Sequence, residues 1–336
     1  MEKIARMTLE GISAEIGISR TTIYKVLKNK GNVSERTRET VMEALEKYHY
    51  VPNEAARGLV TSNSKLVGIL IADIRAQHHI RGAYHIANEL ARHNYFCMIL
   101  NTGNSDEERT ACIQLLRQRQ AEAAVLMGST FRTTTVQVAI EQFLPDTPIF
   151  MMNGFIALPN VYGVLSDERW GIADCVAMLG RKGKRSIAFF VDQPTPSSAL
   201  KTEGFIRGMA ALGREESGLW IYRDVEGSQN GGYETAKRLL AEHPEVDGLI
   251  CSQDIIACGA MRAIQNSGRS IPADVAVIGV DNSSYAEICT PRLTSLDNMI
   301  FDSCVTIAHK LVDVLNGDST NQRTMLLTNI VEREST

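Results

Sequence analysis

Eight short apolar runs, each followed by a stretch with helical spacing, constrain this chain more than any other feature. Four come first: "KLVGILIADI", "YFCMILNTG", "AAVLMGS" and "PIFMMNG". After a break four more follow: "KRSIAFFVD", "GLWIYRDV", "DGLICSQD" and "VAVIGVDN". Strands alternating with helices predict parallel sheets covered by helices, and two sets of four predict two such lobes. Ligands of doubly wound sheets bind beyond the carboxyl ends of the strands, so the facing lobes predict a cleft. Polar residues recur at those ends: Asp73, Asn101, Asp192, Gln253, Asp254 and Asp281. Each alone is readable as a helix cap; recurrence at strand after strand favours a site.

The 336 residues suit two or three domains, and 44% apolar with 22% charged content describes a soluble chain with ample core. The sequence has no apolar run of about 18 residues, the length a membrane span needs. The start "MEKIARMTLEG" lacks the apolar core of a secretory signal. Seven scattered cysteines without a CxxC pair read as reduced, mostly buried thiols. The expectation is a cytoplasmic protein without membrane contact.

Before the first run lies a segment of different character. The chain carries a net charge of −4, yet no Asp or Glu occurs between Glu15 and Glu35, where Arg20, Lys25, Lys28 and Lys30 fall. Such a stretch suggests contact with a polyanion. Thr8 can cap a helix through "LEGISAEI", Gly17 can break it, and Ser19 can cap a second. At 100° per residue Ile23, Val26 and Leu27 share one side of that second helix. Thr21, Tyr24, Lys25 and Lys28 share the other. Two helices joined by a tight turn form a helix-turn-helix, whose cationic face suits a DNA major groove about 12 Å wide. The bland alternative is a solvated lysine face on a packed helix. Ser34 can cap a third helix carrying Val41, Leu45 and Tyr48. Pro52 ends it, and Asn53 can cap a short helix "EAARGLV" too small to be stable alone.

The segment "MTLEGISAEIGISRTTIYKVLKNKGNVSERTRETVMEALEKYHYVPNEAARGL" resembles the DNA-binding head of LacI/GalR-family transcriptional regulators. "GGYETAKRLLAEHPEVDGLICSQDIIACGAMRAIQNSGRSIPADVAVIGVDNSSYAEICTPRLTSL" is similar to that family's regulatory core, which shares the fold of periplasmic sugar-binding proteins. The resemblance implies a helix-turn-helix head at 1–50, a hinge helix and linker at 51–63, and an effector-binding core at 64–336. It divides the core into a first lobe at about 64–163 and 296–322 and a second at about 164–292 and 325–334. "VYGVLSDE", "RLTSLDN" and the stretch near Arg323 are then the crossings. Carried over by position, Arg20, Thr21 and Lys25 face base edges, and Ser19, Thr22, Asn29, Asn32, Ser34 and Thr37 contact phosphates. Asn53, Ala56, Arg57 and Leu59 lie in the minor groove, with Leu59 as a wedge at the central step. The partners implied are a double-stranded operator, a small-molecule effector and a second copy of the chain. Two departures matter: Tyr24 stands where a small Ser is more usual, and Lys25 replaces Arg, losing the planar fork.

The effector residues expected are Arg75, His78, His79, Trp170, Lys201, Gln253, Asp254 and Asp281. Carboxylates and amides suit a sugar-like polyol; Arg75, His78 and His79 suit an anion equally. His85, Glu89 and His93 recur at spacings of four, which is compatible with a metal but reads more simply as surface or interface packing. No GxSxG, GxxxxGK, HExxH or GxGxxG occurs, so no catalytic motif, cofactor or metal is expected. The reading is a ligand-responsive regulator, with a repressor favoured. Alternatives are a catabolite-control-type regulator gated by a phosphorylated carrier protein, and a solute-binding protein without DNA function.

Overall fold

The computed structural model describes residues 7–27, 31, 33–50, 64–215 and 218–336. They fall into two units, residues 1–64 and 65–336. The hinge helix expected within 51–63 lies outside the described residues.

In the head, α1 (Leu9–Ile16), α2 (Arg20–Leu27) and α3 (Glu35–Lys47) pack around Ile12, Ile23, Val26, Val41, Ala44 and Leu45. Hydroxyls accept first-turn amide protons at each start: Thr8 from Gly11 at 3.2 Å, Ser19 from Thr22 at 3.2 Å and Ser34 from Thr37 at 3.3 Å. Gly17 makes the turn after α1 at φ 65, a conformation costly for residues with a Cβ. Glu15 accepts from Lys47 Nζ at 2.9 Å and from the Tyr48 hydroxyl, which tie the ends of α1 and α3 together.

The second unit holds two six-stranded sheets. The first contains β1 (Leu66–Ile71), β2 (Phe96–Asn101), β3 (Ala123–Met127), β4 (Ile149–Met152), β5 (Val161–Ser166) and β11 (Arg323–Leu326), in the order 2-1-3-4-5-11. The second contains β6 (Ile187–Phe190), β7 (Trp220–Tyr222), β8 (Gly248–Cys251), β9 (Ala276–Val280), β10 (Thr294–Asp297) and β12 (Asn329–Val331), in the order 7-6-8-9-10-12. Among the described residues only the β10–β12 pairing is antiparallel. The eight apolar runs supply β1–β4 and β6–β9. β1, β3, β4, β6, β8 and β9 are buried on both faces and so lack the polar alternation of a half-exposed strand, while β2 and β7, at the sheet edges, stay partly exposed.

Helices cover both faces of each sheet. On the first sheet α4 (Gln77–Arg92) and α12 (Ile300–Leu315) press Ile86, Leu90, Ile307 and Leu311 against Val67, Ile69 and Val125. The other face packs Leu70 and Leu126 against α5 (Asp106–Gln118) and α6 (Thr134–Phe143). On the second sheet α7 (Glu168–Arg181) and α8 (Pro196–Ala211) pack Ile172, Val176, Phe205 and Met209 on Phe189 and Ile250. The opposite face carries α9 (Gln229–Glu242) and α10 (Asp254–Asn266), and α11 (Ser284–Ile288) follows β9.

The crossings differ from the expected boundaries. The chain leaves the first lobe after Ser166, returns after Asp297 and leaves again after Leu326. Each lies a few residues past the boundary read from sequence, because the crossing segments are themselves strands. β5 and β11 pair at the edge of the first sheet, while β10 and β12 pair at the edge of the second.

Candidate functional site

In the head, the face of α2 opposite the core exposes Arg20, Thr21, Tyr24 and Lys25, while Ile23 and Val26 point inward. The nearest acid before α2, Glu15, is turned toward Lys47 and Tyr48 at the far ends of α1 and α3. Ser19 and Thr22 share a 2.9 Å hydrogen bond at the start of α2, and Ser34 and Thr37 share one of 2.8 Å at the start of α3. Helix N-termini carrying hydroxyls and partial positive charge are suited to phosphate oxygens. Asn29, Asn32, Asn53, Ala56, Arg57 and Leu59 lie outside the described residues.

In the core, the order 2-1-3-4-5 reverses between β1 and β3, and again between β6 and β8. At such switch points adjacent connections leave on opposite faces, opening a crevice at the carboxyl edge. Here the two crevices face one another across a cavity of about 570 Å³, a volume suited to a small ligand. It is lined from both lobes, and polar pairs join the lobes beside it, Asn298 Nδ2 to Asp281 Oδ1 at 2.7 Å among them. Gln77 Nε2 donates to Ser284 Oγ at 2.8 Å, the Ser197 amide donates to Ser129 Oγ at 3.1 Å, and His78 Nδ1 lies 3.9 Å from Asp281 Oδ2.

Of the eight effector residues expected, Arg75, His78, His79, Lys201, Gln253, Asp254 and Asp281 line this cavity. Trp170 is absent from the lining. It is 50% exposed on α7, with the Arg207 guanidinium 4.0 Å over its ring. Two residues along a helix span about 200°, so Glu168, which faces the cavity, turns Trp170 outward.

The lining residues play different parts. Arg75 is spent on Asp73, donating from Nε at 2.9 Å and Nη2 at 2.7 Å, which holds the Asp73 carboxyl down at about 2. Lys201 is buried, with Nζ 3.4 Å from Glu168 Oε1 and 3.3 Å from the Ser252 carbonyl. Burial opposes its charge, but Glu168, Asp192 and Asp281 outweigh that and raise its pKa. Asp254 acts as a strut, accepting from the Ser283 amide at 2.7 Å, Ser283 Oγ at 2.8 Å and Ser295 Oγ at 2.6 Å. Gln253 Nε2 donates to Asp192 Oδ2 at 2.7 Å. Asp281 accepts from Asn298 Nδ2 at 2.7 Å. Burial, reinforced by nearby carboxylates and opposed by Lys201, pushes the Asp281 pKa well up. Burial, aided by His79 and Lys201, holds His78 well below its ordinary range, and burial holds His79 at about 4. Both rings are therefore neutral near pH 7.

Two strand ends carry backbone strain at the cavity: Asn153 after β4 at φ 54 and Asp281 after β9 at φ 102. Left-handed conformations at residues other than glycine cost on the order of 1–3 kcal/mol and gather where side chains are held for function.

Glu168, Ser197 and Asn298 also line the cavity and were missed from sequence. Ser197 Oγ donates to Glu168 Oε1 and Oε2 at 2.8 and 2.6 Å. "SDERW" reads locally as an N-cap and acidic first turn, and Asp167 does cap the Trp170 amide at 3.2 Å. That local reading hides the inward role of its neighbour. The spaced histidines pair locally instead: His85 lies edge-on to Phe301 at 4.9 Å, and Glu89 faces His309 at 3.2 Å.

The profile of bacterial regulatory proteins of the lacI family matches residues 8–53, and that of the periplasmic binding protein-like domain matches residues 176–336. An HTH-type transcriptional regulator of Lachnoclostridium phytofermentans is 27% identical over 335 residues, spanning 98% of this chain and 99% of its own. The lac repressor dimer bound to operator and the anti-inducer ONPF superposes with a TM-score of 0.88 at 19% identity, over 98% of each chain. A complex of the transcriptional regulator CelR with cellobiose gives 0.71 at 24% identity, over 98% of this chain and 99% of that one. Among the described residues no helix is long and apolar enough to cross a membrane. The chain thus joins a head that matches the lacI family of bacterial regulatory proteins to a two-lobed periplasmic-binding-protein-like core, and over nearly its whole length it is similar to DNA-binding transcriptional regulators built the same way.

Proposed function

We propose that this chain is a ligand-responsive repressor that binds a pseudo-palindromic operator as a homodimer and senses a small polyhydroxylated metabolite, a sugar or sugar derivative. The observation that carries the DNA half is the exposed, acid-free face of α2. On this reading Arg20, Thr21 and Lys25 meet base edges in the major groove. Ser19, Thr22, Asn29, Asn32, Ser34 and Thr37 hold phosphates and fix the register. Asn53, Ala56, Arg57 and Leu59 enter the minor groove, where Leu59 wedges into the central step. Unstacking that step costs a few kcal/mol, offset by the surface the bend brings into contact.

The cleft supports the sensing half. Its polar lining comes from both lobes, so a ligand touching both stabilises one lobe arrangement over another. Only such differential affinity can shift the equilibrium that governs the head. A polyol suits the cleft better than an anion, because both histidines are neutral and Arg75 is engaged by Asp73. CelR, a similar protein, is seen with cellobiose.

Lys25 provides the test. Operator affinity is measured from low to physiological salt for the wild type and Lys25→Ala. A base-reading lysine makes the variant lose about 1–3 kcal/mol on the operator and relax preference at one position. A phosphate contact instead weakens all sequences equally and lowers the salt slope by about one. No change in either quantity removes α2 from the interface.

A further inference from the structure

The cleft is out of balance in charge and in hydrogen bonding. Six carboxylates line it (Asp73, Glu168, Asp192, Glu226, Asp254 and Asp281) against two cations, Arg75 and Lys201. Arg75 is matched by Asp73 and Lys201 by Glu168, while Asp254 is saturated by Ser283 and Ser295. Asp192, Asp281 and Glu226 remain without a cation of their own: among the described residues Asp192 accepts only from Ser252 and Gln253, and Asp281, whose burial among carboxylates favours the protonated form, needs a cation beside it to hold its charge, which neutral histidines do not supply. Acceptors are also in surplus. Asn298, 8% exposed, uses its amide nitrogen on Asp281, and its Oδ1 has no hydrogen-bond partner among the described residues. Gln77 spends Nε2 on Ser284, and its Oε1 is buried in the same state.

A phosphate or carboxylate ligand brings only acceptors and negative charge, worsening both imbalances. A hydroxyl brings one donor together with lone pairs that need donors of their own. An ammonium brings three donors, no acceptor and a positive charge. Lys201 does not pre-empt this place. Its single charge sits among Glu168, Asp192 and Asp281, so a second cation completes the local balance without exceeding it.

Building on the reading of the cleft as the sensing site, we infer that its ligand is a polyhydroxylated amine, such as an amino sugar, whose ammonium is held by Asp281 and Asn298 Oδ1 with Asp192 nearby. Its hydroxyls then address the remaining polar lining, including Gln77 Oε1 and Gln253.

Calorimetry on the full chain at pH 7 tests this with two matched sets: glucose, glucosamine and glucose 6-phosphate, and galactose, galactosamine and galactose 6-phosphate. The expected result is that an amine binds at least tenfold more tightly than its neutral twin, and that neither phosphate ester binds better than the neutral sugar. Asp281→Asn is expected to remove that preference, so that each amine binds no more than about twofold more tightly than its neutral twin. Should circular dichroism show Asp281→Asn misfolded, Asp192→Asn takes its place, with at least a threefold loss of the preference expected. A neutral sugar or phosphate ester that matches or outbinds its amine overturns the inference, yet leaves the ligand-responsive reading standing. Absence of binding by all six overturns it too, while the DNA-binding half is decided separately on operator DNA.

Discussion

Lys201→Met removes the buried cation at the lobe junction while nearly preserving side-chain length and volume. In the wild type, Lys201 and Glu168 side chains are 8% and 1% exposed, with 3.4 Å between Nζ and Oε1. Stripping one partner from a buried pair costs about 3–5 kcal/mol, because the remaining charge keeps its desolvation penalty. The separation is long for an ion pair, and Ser197 still donates to Glu168. Both facts place the expected loss near the lower end, about 3 kcal/mol at pH 7. Adding Glu168→Gln removes the stranded charge and should restore stability to within about 1 kcal/mol of the wild type. Urea unfolding followed by tryptophan fluorescence is the assay. Both tryptophans, Trp170 and Trp220, lie in the core unit, so the signal reports its transition alone. A loss below about 1 kcal/mol in the single variant, or a double variant no more stable than the single, refutes the reasoning.

Three further outcomes are expected. The folded pKa of His79, about 4, lies below its unfolded value of about 6.5, so its contribution is fully present above pH 6.5 and fades as pH falls toward 4. The wild type should therefore lose about 3 kcal/mol relative to His79→Gln between pH 7 and 4 in urea titrations; parallel curves contradict this. Trp170→Ala should leave the affinity of any cleft ligand unchanged in calorimetry and cost about 0.5–1 kcal/mol from the lost Arg207 stack. A weakened ligand would return Trp170 to the site. Leu59→Ala should lower affinity for the operator but hardly alter binding to random duplex, and equal losses on both would remove the wedge.

Local signals carried most of the architecture. Thr8, Gly17, Ser19 and Ser34 mark helix limits because capping depends on a few adjacent residues. The eight strands β1–β4 and β6–β9 announce themselves as continuous apolar runs. β5, β10 and β11 were legible only as crossings, since a strand at a lobe junction is defined by its partners. The cleft divides in the same way. Asp192, Gln253 and Asp281 stand at strand ends, where the fold rule points. Glu168 and Asn298 reach the cavity through the crossing topology, and nothing in their neighbouring residues signals that, while Ser197 stands in the first turn of α8, after β6. Trp170 lies off the cavity for a related reason: proximity to a crossing says nothing about helical phase, and a two-residue offset reverses the side it faces.

The central claim is that this chain recognises a specific duplex through two copies of its head and answers to a ligand. Selection of binding sites from random duplex DNA at near-physiological salt, in buffer and in cell extract, tests it most directly. The account predicts an enriched near-palindrome with a pyrimidine–purine step at its centre, in buffer or only when extract supplies a corepressor. Enrichment of no sequence under either condition would contradict it.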